Sequence, residues 1–97
     1  MYIKALDKMP YAQAHIAYEG GRIVLVSYET AVVIIENGWL TITGLYSATT
    51  RRHIGAFMKE MRLGDYHTAK NLYENDYALN IDTGEVVSID ELAEMGV

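Results

Sequence analysis

The sequence predicts an α+β domain: an antiparallel four-stranded sheet packed by an amphipathic helix, then a second helix, a small hairpin and a short C-terminal helix. Three observations lead there. Residues 13–43 are strand-like and punctuated by turn signals; from Ile54 the apolar spacing becomes helical; and strand-like residues return at 77–88 after a second helical stretch. At 97 residues the chain is expected to be one domain, 1–97, large enough for a single modest core.

Residues 13–18 alternate weakly, Gly20-Gly21 signals a turn, and residues 22–28 are rich in β-branched side chains, so the two segments read as a hairpin. Glu29 and Thr30 separate a further apolar run, residues 31–36. Asn37-Gly38 then supplies the two positive-φ residues of a type I′ turn. Residues 39–43 follow, with Leu40 and Ile42 on one face and Trp39, Thr41 and Thr43 on the other. The unbroken run from Val32 to Ile35 marks a central strand that needs cover.

That cover is expected from a helix over residues 49–62. Ile54, Phe57, Met58 and Met61 fall at i, i+3, i+4 and i+7, a single apolar stripe, and Gly64 is placed to cap its end. Asp65 then caps a second helix at about residues 66–75, whose inner side is Ala69, Leu72 and Tyr73. Residues 77–81 and 85–88 flank Asp82-Thr-Gly84 as a small hairpin, with addition to the main sheet as the alternative arrangement. Ser88-Ile-Asp-Glu91 matches a capping box, so a final helix over 90–95 is expected to stop at Gly96.

The composition excludes several classes of function. Apolar residues make up 51% of the chain and charged residues 22%, a globular balance, and no apolar run approaches the length of a membrane span. There is no cysteine, which removes disulfides, thiolate metal sites and cysteine nucleophiles together. The N-terminus lacks the basic-then-apolar order of a secretory signal, so the chain is expected to start at or near Met1 and to be cytosolic. Charge is distributed unevenly. Residues 71–97 carry seven acids and no Lys or Arg, while residues 1–70 carry eight basic residues against six acids.

No segment spells out a reaction. His15, His53 and His67 stand apart with no metal-binding spacing, so neither a metal nor a cofactor is expected. Ser47, Thr49 and Thr50 near His53 lack a nucleophile elbow and an orienting third group, and read more simply as helix caps. The same segment offers a different chemistry. A helix start already carries partial positive charge, yet here it is followed by Arg51 and Arg52 rather than by acids. Backbone N–H groups, the hydroxyls of Ser47, Thr49 and Thr50, and the forked donors of Arg51 and Arg52 are a candidate site for a phosphate or a partner's carboxylate. The competing arrangement pairs these arginines with the protein's own acids, including those of the tail.

A second candidate surface is acidic. Glu74, Asp76, Tyr77, Asp82 and Glu85 combine carboxylates with an aromatic ring, and spaced carboxylates can occupy a groove built to neutralise phosphates.

The segments Val26-Ser-Tyr-Glu-Thr30, Val32-Val-Ile-Ile-Glu-Asn-Gly38 and Tyr46-Ser-Ala-Thr-Thr-Arg-Arg-His-Ile54, with Phe57, make the chain resemble a group of small uncharacterised proteins of bacterial phages and related mobile elements. The shared pattern, SY-x-T, NG and YS-x-TT-x-RHI-x-x-F, covers about residues 22–62. The resemblance implies a setting in which short, acidic, non-enzymatic proteins act against host defences, anti-CRISPR inhibitors among them.

The expected function is therefore a non-enzymatic, phage-type binding protein that inhibits a host nucleic-acid-handling effector such as a CRISPR nuclease. Its acidic surface would occupy a basic groove, with no direct nucleic-acid contact and no membrane. The alternative is a nucleic-acid-associated accessory or regulatory protein that grips phosphate at the Ser47 to Arg52 helix start. An uncovered sheet face also leaves a homodimer open.

Overall fold

Among the described residues, seven strands form one sheet in chain order, and every neighbouring pair is antiparallel: β1 (Tyr2–Ala5), β2 (Ala14–Glu19), β3 (Arg22–Ser27), β4 (Thr30–Glu36), β5 (Trp39–Ile42), β6 (Tyr77–Asn80) and β7 (Val86–Ser88). Between β5 and β6 the chain forms α1 (Ala48–Glu60) and α2 (Tyr66–Glu74), and after β7 it ends in α3 (Ile89–Glu94). This computed structural model describes residues 1–96; Val97, the last residue of the expected domain, lies outside the described residues.

The expected four-stranded sheet is thus seven-stranded, for two separate reasons. β1 is an edge strand with mostly exposed side chains and carries little alternation; its pairing with β2, Ile3 opposite Ala17, makes it a strand. The β6–β7 hairpin does not stand apart. It continues the sheet by pairing Trp39 with Asn80 and Leu40 with Leu79, because the two helices return the chain to the free edge of β5.

Cross-strand registry builds the core. Ile16 faces Leu25, Leu25 faces Val33, and Val33 faces Ile42, one apolar row across four strands. Ile54, Phe57 and Met58 of α1 and Ala69 and Leu72 of α2 pack on this face. A register shift between Leu25 and Val26 leaves Val32 without a direct partner, a bulge that lets both Val32 and Val33 join the core. The opposite face carries a smaller cluster of Trp39, Ala78 and Val87, with Leu92 of α3 packed against it.

The hairpin turns follow their local chemistry. Asn37 and Gly38 both have positive φ, 54° and 82°, as a type I′ turn requires. One cap differs from expectation. The left-handed residue that closes α1 is Arg62, at φ 58°, and not Gly64, which takes φ 119° in the following loop. Asp65 caps α2 as its spacing predicts, accepting from the backbone N–H groups of His67 and Thr68, while the Thr68 hydroxyl accepts from the backbone N–H of Asp65.

Candidate functional site: a cationic groove along α1

Of the hydroxyls at the start of α1, that of Thr50 turns inward. The Ser47 side chain accepts from the backbone N–H of Thr50 at 3.2 Å, which satisfies one orphan donor of the first turn. Thr50 is buried, and its hydroxyl lies 3.0 Å from that of Ser27 on β3. Ser27 Oγ lies in turn 2.8 Å from His53 Nδ1. Ser27, Thr50 and His53 therefore form a buried polar knot that ties α1 to β3. Burial, followed by the nearby Arg52 charge, pushes the His53 pKa below its ordinary value, so the imidazole is held neutral. Thr50 is corrected accordingly: its hydroxyl belongs to the interior and does not face an external anion. Ser47 acts as a cap, and Thr49 is half-buried.

Arg51 and Arg52 point elsewhere. They are exposed, and with Lys8, Met9, Gly55, Ala56, Lys59 and Tyr66 they line an open groove of about 650 Å³. That volume lies within the range of ligand sites. Its floor is apolar, its rim carries four cations, and no carboxylate lines it. None of Lys8, Arg51, Arg52 and Lys59 forms an ion pair among the described residues; the ion pairs there are those of Lys4. Among the described residues no tail acid forms an ion pair with Arg51 or Arg52.

The second wall is held in place by an acid. Glu60, near the end of α1, accepts from Lys4 Nζ at 2.6 Å and from the backbone N–H of Asp7 at 2.7 Å, while Lys4 also bonds Asp7 at 2.6 Å. This three-residue clasp draws the β1–β2 loop onto α1 and brings Lys8 and Met9 to the groove. The two carboxylates raise the Lys4 pKa above its ordinary value, so its charge is present at any physiological pH. The floor is set by a glycine. A Cβ at Gly55 would lie 3.3 Å from Tyr66 Cβ, so the missing side chain is what lets α2 begin so close to α1.

The acidic candidates do not form one patch. All five of Glu74, Asp76, Tyr77, Asp82 and Glu85 are exposed, but Glu74 and Asp76 lie at the α2–β6 turn while Asp82 and Glu85 lie in the β6–β7 hairpin, at opposite ends of β6. Tyr77 opens that strand.

Sequence reasoning missed Lys8, Met9, Gly55, Ala56, Lys59 and Tyr66 as site residues. Part of the groove has a visible signal. Residues 51, 55 and 59, with 52 and 56, follow helical spacing on the side of α1 away from the core stripe at 54, 57, 58 and 61. Lys8 and Met9 have none, because the clasp to Glu60 spans 53 residues and more of chain.

Among the described residues no group of His, Asp and Glu side chains is gathered to hold a metal ion, and no helix is long and apolar enough to cross a membrane. Fold and groove together define a small α+β protein with a cationic, apolar-floored cleft on its helical layer. The chain belongs to DUF8033, a family of unknown function, whose model matches residues 3–78. Neither the curated proteins nor the solved structures contain a match. The family span includes the whole groove and ends at the start of β6, so Asp82 and Glu85 lie beyond it.

Proposed function

We propose that this is a non-enzymatic binding protein that docks on a partner protein through a surface of mixed charge, with the groove of Lys8, Arg51, Arg52 and Lys59 as the pole that takes the partner's acids. The carrying observation is that these four cations form no ion pair among the described residues of a chain of net charge −5 that has acids to spare. Unpaired cations over an apolar floor gain more from a partner's carboxylate than from water, since docking displaces water and lowers the local dielectric. The carboxylates at the two ends of β6 then orient the partner and contact its basic groups.

The resemblance to small phage and mobile-element proteins supports the partner class: a host nucleic-acid-handling effector, a CRISPR nuclease among them, that the protein inhibits in the host cytoplasm. The net negative charge favours this reading over direct phosphate gripping, because a polyanion is repelled at long range. Immobilised protein is exposed to host lysate, and whatever is recovered is tested for loss of nuclease activity, with wild type beside Arg51→Glu and Arg52→Glu. The proposal expects recovery and inhibition that weaken with salt and disappear with charge reversal. Recovery indifferent to charge reversal, or direct binding of DNA or RNA by the isolated protein, would refute it.

A further inference from the structure

Resting on the reading of the groove as the docking pole, we infer that its occupant is a short extended segment of the partner in which two acidic residues flank an apolar one at alternate positions, acid-x-apolar-x-acid. Arg51, Gly55 and Lys59 lie at i, i+4 and i+8 on α1, so the backbone positions that carry the outer two cations are about 12 Å apart along the helix axis at 1.5 Å per residue. An extended segment advances about 3.3 Å per residue and points alternate side chains to one face, so acids four residues apart stand about 13 Å apart with the middle side chain beside them. The two spacings agree.

The middle of the row has its own feature. Gly55 contributes no side chain between the two cations, Tyr66 packs into the space beside it, and with Ala56 and Met9 it gives an apolar floor on which an apolar side chain can rest. Lys8 and Arg52 add charge to the rim. A lone inorganic anion would leave this apolar floor unused. A nucleic-acid strand would bring many charges into the field of a −5 protein, whereas a segment with two acids brings few. The groove is open rather than enclosed, which suits a peptide that lies along a helix.

The test uses the whole protein and labelled, end-capped peptides, read by fluorescence anisotropy. A Glu-Ser-Leu-Ser-Glu peptide is compared with Gln-Ser-Leu-Ser-Gln, with Glu-Ser-Gly-Ser-Glu, with a single-stranded oligonucleotide and with inorganic phosphate as competitor. The acid-Leu-acid peptide is expected to bind most tightly, and loss of either the acids or the leucine to weaken it. Arg51→Gln and Lys59→Gln, both at exposed positions, should each weaken binding by about two- to fivefold and reduce its salt dependence. Equal binding of the three peptides, indifference to both substitutions, or preference for the oligonucleotide or phosphate overturns the inference. If the peptides fail while capture of a partner from lysate still depends on Arg51 and Arg52, the occupant is wrong and the docking pole stands. If both fail, the docking pole is wrong as well.

Discussion

Acidification should destabilise this protein through His53, and the size of the effect follows from its place in the fold. His53 is 1% exposed, its Nδ1 is engaged by Ser27, and the Tyr28 ring lies 5.9 Å from its own. Its folded pKa is depressed, so the unfolded chain takes up a proton that the folded chain refuses. The contribution of this group is therefore present above the unfolded pKa and is lost as pH falls towards the folded one. With an unfolded pKa of about 6.5, going from pH 7.5 to pH 5.5 removes up to about 1.4 kcal/mol, the limit reached when the folded imidazole takes up no proton in that window. For a domain of this size that limit is a fall in Tm of about 6–11 °C. Urea unfolding followed by Trp39 fluorescence at the two pH values measures it, with His53→Gln as the reference in which this proton is absent. The two proteins differ in this one side chain, so the difference in slope isolates His53. Equal pH dependence in wild type and variant would refute the assignment of a neutral buried imidazole.

Three further outcomes are expected. Gly64→Ala should cost about 1–3 kcal/mol, since Gly64 has φ 119° and an added Cβ would collide with Thr68, and thermal unfolding should show it. Asp65→Ala removes the cap of α2 and should lower Tm; because hydrogen bonding from the Thr68 backbone lowers the Asp65 pKa, the stabilisation it provides is present above the ordinary carboxylate range and lost at lower pH, and the difference between wild type and variant should shrink below about pH 4. Leu92→Ala should uncover Trp39, which is 6% exposed, giving a red-shifted emission while far-UV circular dichroism retains the sheet and the other helices.

Periodicity alone determined most of the local structure. The alternation of Leu40 and Ile42 against Trp39, the 54, 57, 58, 61 stripe, the Asn37-Gly38 turn and the caps at Asp65 and Ser88 are each set by neighbours within a few residues, and each is recovered in the structure. Ser88 Oγ, for example, accepts from the backbone N–H of Glu91 at 3.0 Å. The closing of α1 by Arg62 was less legible. A left-handed position admits a non-glycine residue when the surrounding contacts outweigh the strain, and composition does not reveal those contacts.

Tertiary structure decided everything that joins distant residues. Nothing local distinguishes a free hairpin at 77–88 from one added to β5, because the choice depends on where α1 and α2 return the chain. The inward turn of Thr50 depends on Ser27, 23 residues earlier, and the groove on a loop drawn in by Glu60. The sequence by itself therefore determined that Arg51 and Arg52 stand at a helix start without compensating acids. Only the fold decided that they form no ion pair among the described residues, that the Thr50 hydroxyl beside them turns into the core, and that they share an apolar-floored groove with Lys8 and Lys59. Helical spacing and capping act within a turn of backbone, whereas a binding surface is made by side chains that folding alone brings together.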